Sequence, residues 1–294
     1  EKYWYPMEQS YGNEYATYFN WFIRDYLSVK TGTIPVIGKV YEDFKNYVQN
    51  NKSLGTITEI VEDVYKYSGF YVNMVLRKET HPELRSLFSN ILKLKIDTSY
   101  PFLLPVYNDY AQEVITAEEF KEVVKLVENY VFRRAICGIP TNSLNKTFAT
   151  LYKSINPSSY VESIQVAFQL MENYKRFPDD AEFEREIVLK DVYNFRSRNY
   201  LLQNIENYKW KEIVNTENYT IEHIMPQNPK LSPQWQEMLG ANWQEVQKTY
   251  LHTIGNLTLT GYNSELSDHS FDIKKSIEGG FNDSPLHLNR FMQK

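Results

Sequence analysis

Tyr219-Thr220-Ile221-Glu222-His223-Ile224-Met225-Pro226-Gln227, followed after a long interval by Gly255-Asn256-Leu257-Thr258-Leu259-Thr260-Gly261-Tyr262-Asn263, decides how this chain reads. Tyr219 to Ile221 has the β-branched and aromatic content of a short strand, and Leu257 to Thr260 has the same character directly after Gly255-Asn256. Gly261-Tyr262-Asn263 then opens a helix running toward Lys274-Lys275. The order is strand, long loop, strand, helix. The loop between the strands carries Trp235 and Trp243, read as apolar anchors. Three of the five histidines, His223, His252 and His269, fall in this stretch.

Upstream of about Asn215 the texture is helical. Thr56-Ile57-Thr58-Glu59 has the form of a capping box, with Ile60, Val61, Val64 and Tyr65 at helical spacing behind it. Thr116-Ala117-Glu118-Glu119 repeats the signal ahead of Phe120, Val123, Val124, Val127, Tyr130 and Val131. Further helices are predicted over Tyr15 to Val29, Lys39 to Val48, Glu83 to Leu94, Leu144 to Ile155, Val161 to Tyr174 and Glu182 to Tyr208. Turn formers break the pattern at Asn50 to Gly55, Gly138 to Asn142, Asn156 to Ser159 and Phe177 to Asp180. No fixed period recurs, which disfavours a solenoid. The reading is a mainly α chain: a helical bundle over residues 1–214, then a smaller unit over 215–294 built from two strands and a helix.

Composition narrows the function classes. A chain of 294 residues with 42% hydrophobic and 23% charged residues buries a core. A single cysteine, Cys137, excludes an intrachain disulfide framework and a cysteine-based zinc site. The sequence has no apolar run long enough for a membrane span and no signal-peptide pattern at its start, so no membrane association and a cytoplasmic location are expected. The net charge of -5 argues against a protein that holds nucleic acid by charge alone. The segment 216–294 is itself acidic, with six Lys and Arg against nine Asp and Glu. The 24 tyrosines fit helix packing with the hydroxyls toward the surface better than base stacking.

Hydrolysis of a phosphodiester needs a base for water, a cation against the developing phosphate charge, and both held in line with the scissile bond. A neutral imidazole suits the first role. Hard oxygen ligands suit a magnesium-type ion, which takes one or two protein ligands and completes its shell with water and phosphate. Glu222-His223 at a strand end and Asn263 at a helix start form such a set. Neighbouring strand residues point to opposite faces, so Glu222 and His223 serve one pocket only if the chain turns there, and Pro226 favours a turn.

Three blocks, 219–227, 251–267 and Phe271-Asp272-Ile273-Lys274-Lys275, together resemble the C-terminal nuclease domain of GmrSD-type modification-dependent restriction enzymes, a domain of the His-Me finger (HNH-like, ββα-metal) class. The segment from Tyr18 to Leu27 also resembles the region joining the two halves of such proteins. The resemblance implies a metal-dependent DNA endonuclease that uses Mg2+ or Mn2+. His223 falls on its general base, Asn256 on its loop-bracing asparagine and Asn263 on its metal-side asparagine. Glu222 stands where many HNH nucleases carry an aspartate on the metal, and it is longer by a methylene. Lys274 and Lys275 stand where a cation would meet the phosphate, and His252 lies near the site without an assigned role. The family's N-terminal half is a nucleotide-hydrolysing domain with an Asp-Gly-Gln-Gln-Arg motif. This chain lacks that motif, so the missing half, or a partner subunit, is expected to deliver DNA, modified DNA included.

Each residue also has a plainer reading. His223 beside an acid fits a surface pair, Asn256 a turn, Asn263 a helix cap and Lys274-Lys275 a solvated face. His269 and His287 fit the surface, and His81 fits a helix start. On those readings the chain is a helical interaction module with a degenerate nuclease fold. An RNA-directed nuclease would use the same residues.

Overall fold

The computed structural model describes residues 2–50 and 55–294, so most of the break expected at 50–55 lies outside the described residues. Contacts divide the chain into two compact units, Glu1–Pro178 and Asp179–Lys294. The sequence reading divides it at 214/215; residues 179–214 instead pack within the second unit. There the Glu206 carboxylate, fully buried, accepts the backbone N–H groups of His287 and Leu288, both at 2.9 Å.

The first unit is helical, without a strand among its described residues. Both capping boxes form. Thr56 Oγ1 accepts from the Glu59 N–H at 3.3 Å, and Glu59 Oε2 accepts from the Thr56 N–H at 2.6 Å. Thr116 and Glu119 repeat this at 3.2 Å and 2.7 Å. The helix Tyr100–Ala111 has no counterpart among the predicted ones. Its first two turns, Tyr100 to Tyr107, are apolar on every side, so they lack the one-sided period that marks a surface helix. Tyr100 to Tyr107 are all buried, against the helices Tyr15–Thr31, Ile57–Val75, Ala117–Ile136 and Leu144–Leu151. Tyrosines close the gaps between helices and bond their hydroxyls to acids. Tyr152 and Tyr160 both donate to Asp109 Oδ2, at 2.8 Å and 2.6 Å, and Tyr26 donates to Asp63 Oδ2 at 2.7 Å.

The second unit holds the only sheet among the described residues. Strand β1, Thr220–His223, pairs antiparallel with β2, Leu257–Thr260, in the register Thr220↔Thr260 through His223↔Leu257. Leu259 on β2 packs with Leu202 and Leu286, and Tyr219 and Ile221 cover the same cluster. The connection between the strands contains two short helices, Pro233–Leu239 and Trp243–Tyr250, where one long loop was expected. Trp235, buried, and Trp243, partly buried, anchor it in one apolar cluster with Met225 and Leu231.

Two predicted helices are broken. Glu182 to Tyr208 divides into Asp180–Leu189 and Arg198–Glu206. Between them the Asp191 carboxylate accepts from the Asn194 N–H at 2.9 Å and from its side-chain amide at 2.8 Å, a local alternative to helix hydrogen bonding. The helix from Asn263 toward Lys275 divides into Asn263–Leu266 and Phe271–Ser276, with Ser267 at φ 39° between them. No helix among the described residues is long and apolar enough to cross a membrane.

The helix Tyr15–Thr31 carries an acid in the core. Asp25 is 2% exposed, and its Oδ1 has no hydrogen-bond partner. Burial pushes its carboxyl up to about 8; the Arg24 guanidinium, 3.9 Å away, opposes this and Asp97 adds to it. The folded state therefore binds one more proton than the unfolded chain between about pH 4 and pH 8. Stability should fall as pH rises through that window, by on the order of 1 kcal/mol per pH unit. Urea unfolding at pH 5 to 8 should show this slope in the wild type and lose it in Asp25→Asn; equal slopes in the two proteins would contradict the assignment.

Candidate active site

β1 delivers Glu222 and His223 as successive residues, both 4% exposed. The pleat sends them to opposite sides, and each finds its own partners. Lys274, on the helix Phe271–Ser276, is fully buried. Its ammonium donates to Glu222 Oε1 at 2.6 Å and to the backbone carbonyl of His223 at 2.9 Å. One cation thus satisfies a buried acid and the end of the strand. Burial pushes the Glu222 carboxyl up, and Lys274 opposes that rise. Lys274 presents no exposed ammonium to a phosphate in this arrangement; Lys275, half-buried, lies over the Phe271 ring. Gly280 backs the lysine: a Cβ there would lie 2.5 Å from the Lys274 carbonyl oxygen.

The His223 ring meets a second histidine. His223 Nε2 and His252 Nδ1 are 3.0 Å apart, so one ring donates and the other accepts. Tyr193 stacks on His252 at 5.1 Å and meets the His223 ring edge-on at 4.6 Å. Tyr193 comes from the turn that interrupts the predicted helix. That turn is pinned to the site, because the N–H groups of Val192 and Tyr193 donate to the His252 carbonyl at 2.8 Å and 3.3 Å. Burial first, then His252 and Lys274, hold the His223 pKa down at about 4. His223 is therefore a neutral imidazole at neutral pH.

Asn256 closes the turn ahead of β2. Its Oδ1 accepts from the Met225 N–H at 2.7 Å, and its Nδ2 donates to the carbonyls of Met225 and Leu251 at 3.0 Å and 2.9 Å. Its backbone carbonyl takes the Ile224 N–H at 2.9 Å. One side chain thereby joins the segment after His223 to the segment before β2. Asn263, exposed, donates to the Ile221 carbonyl at 3.0 Å and to Thr220 Oγ1 at 3.3 Å. This seats it on the strand one peptide before Glu222, with its amide oxygen directed elsewhere.

Among the described residues no group of three or more His, Cys, Asp or Glu side chains forms a metal cluster. The remaining histidines have other surroundings. His287 is stacked on Trp210 at 3.6 Å and bonded through Nδ1 to the Glu206 carbonyl at 3.0 Å, so it serves packing and is not a plain surface residue. His269 is exposed and offers its carbonyl to Trp235 Nε1 at 3.0 Å. His81 stands at the N-cap of the helix Pro82–Leu94.

A neutral, ring-braced histidine at a strand end is chemically able to accept a proton. Residues 177–294 match the family model of GmrSD restriction endonucleases, C-terminal domain. No curated protein and no solved structure matches the chain.

Because Lys274 neutralises the buried Glu222, Lys274→Met should destabilise the second unit by about 3–5 kcal/mol. Adding Glu222→Gln should restore most of that loss, since the uncompensated charge is then gone. Chemical denaturation of the single and the double variant checks this; Lys274→Met as stable as wild type would contradict the buried pair.

Proposed function

We propose that the second unit cuts DNA by metal-dependent phosphodiester hydrolysis, with His223 as the general base. The observation that carries this reading is the His223 ring itself. It is neutral, and its Nε2 is taken up by His252 Nδ1 at 3.0 Å. In the tautomer that donates from Nε2, the lone pair on Nδ1 is left to accept a proton from water. Tyr193 and His252 fix the ring plane, so the base does not have to be ordered as the reaction proceeds. Asn256 serves as the brace behind it.

The donor set suits a hard divalent ion of the Mg2+ or Mn2+ kind. Asn263 spends its amide nitrogen on the strand and keeps its oxygen, while Glu222 spends Oε1 on Lys274 and keeps Oε2. These two oxygens would hold the ion, which supplies charge neutralisation at the phosphate and the leaving oxygen. Lys275, which keeps partial exposure, would approach the DNA backbone, while Lys274 acts from within by holding Glu222.

The acidic balance of residues 216–294, six cationic against nine anionic side chains, opposes tight DNA binding by this unit alone. Delivery by an N-terminal nucleotide-hydrolysing domain or a partner subunit supplies what is missing. Modified DNA as the substrate and the cytoplasm as the place of action belong to the same proposal.

His223→Ala should reduce cleavage by on the order of 10²- to 10⁴-fold while the fold persists. Asn263→Ala should lose activity that high manganese restores in part, because that change weakens ion occupancy and leaves proton transfer intact. A chelator should abolish cutting. Gel assays on plasmid DNA, with the protein joined to its delivering half, check all three. Cleavage indifferent to His223→Ala and to chelation would favour the interaction-module reading, and cleavage confined to RNA would move the substrate class.

A further inference from the structure

The first unit contains a cavity of about 170 Å³ that opens to solvent, remote in sequence from the proposed nuclease residues. Its inner wall is made by Asp25, Tyr71 and Tyr100, each at most 3% exposed. Two polar atoms there are buried without any hydrogen-bond partner, Asp25 Oδ1 and the Tyr100 hydroxyl. The helix Tyr15–Thr31 places Tyr18, Trp21 and Arg24 around the mouth, three residues apart on one face. Asp97 lies opposite them, exposed.

We propose that this cavity binds a single nucleobase, stacked between the aromatic side chains and read at its hydrogen-bonding edge by Asp25 and Tyr100.

Three physical arguments select that class. The first is shape: the walls are aromatic rings, Tyr71 inside and Trp21 and Tyr18 at the mouth, and flat rings pack against a flat ligand. The second is the polar inventory. The buried carboxyl, held protonated near neutral pH by its burial, carries an O–H donor beside a C=O acceptor. The Tyr100 hydroxyl adds a further donor or acceptor. A base edge presents adjacent donors and acceptors in the same way, and each unmade bond inside the protein costs stability until such a ligand supplies it. The third is charge. Arg24 lies over Trp21 at 5.2 Å and lines the same cavity as Asp97, so with Asp25 neutral the charges of the lining balance. An aromatic cage for an ammonium group would not place a guanidinium at its mouth. Volume agrees: the cavity far exceeds the roughly 30 Å³ share of one water and falls short of the about 300 Å³ at which sites for drug-sized ligands begin.

The base can belong to a free nucleoside or to an unpaired nucleotide in a strand, and the experiment separates the two. Calorimetric titration of the full chain, without metal, uses adenosine, guanosine, cytidine and thymidine as probes, beside a single-stranded oligonucleotide and its abasic counterpart. At least one nucleoside or the intact oligonucleotide should bind with one-to-one stoichiometry. Tyr100→Phe should weaken that binding about 3- to 10-fold. Asp25→Leu should abolish it. Neither variant should lower the thermal midpoint, because each removes an unpartnered polar atom; a merely structural role would show the opposite pattern. Nucleoside binding as strong as oligonucleotide binding assigns a free ligand, and binding of the intact but not the abasic oligonucleotide assigns a strand. The proposal is overturned if no nucleoside binds at millimolar concentration and intact and abasic strands bind alike. It is also overturned if Tyr100→Phe binds as wild type does, or if choline binds where nucleosides do not. Because no cleavage is read, failure here leaves the nuclease reading untouched, and loss of cleavage in His223→Ala leaves this one untouched.

Discussion

A lysine ammonium with no access to water sits at the end of β1, the strand that carries Glu222 and His223. Such a cation is tolerable only if its donors are taken, and Lys274 gives them to the Glu222 carboxylate and the His223 carbonyl. The pair joins β1 to the helix Phe271–Ser276 across fifty residues of chain, and Gly280 leaves room for the lysine backbone at its rear. It sets the end of β1, and thereby the point from which the His223 ring projects. Asn256 performs the matching task on the other side, holding the chain after His223 against the turn before β2.

In the proposed reaction two adjacent residues divide the chemistry between them. Glu222 faces a cation and keeps one oxygen uncommitted; His223 faces a histidine and a tyrosine and keeps one nitrogen uncommitted. The desolvation that destabilises a charged imidazole is also what keeps His223 able to accept a proton. A site of this kind is costly to the fold, since it buries an acid, a lysine and a histidine within a small unit. Asn289 and the apolar cluster around Leu259 offset that cost by tying the C-terminal segment to the sheet, and Glu206 ties it to the helix Arg198–Glu206.

Much of this was legible in the sequence. The two strands were readable from β-branched runs next to turn formers, and both capping boxes were readable because each depends on residues three apart. Other features could not be read locally. Val188, Val192 and Phe195 keep a helical period straight through the turn that carries Tyr193, so the break that brings this ring to the histidines is set by tertiary contacts to His252. Lys274 and Lys275 are identical neighbours in the chain, yet successive helical residues point about 100° apart, so one is buried and the other half-exposed. The helix Tyr100–Ala111 lacks a polar face over its first two turns because it is surrounded there, and a buried helix gives no amphipathic signal.

The central claim is that His223 stands ready as a base through its Nδ1 because its Nε2 is engaged by His252. Long-range nitrogen–proton correlation spectra of the imidazole rings at neutral pH report this directly, without substrate or metal. The account predicts a neutral His223 ring with its proton on Nε2 and a bare Nδ1. A His223 ring protonated on Nδ1, or on both nitrogens, would contradict it.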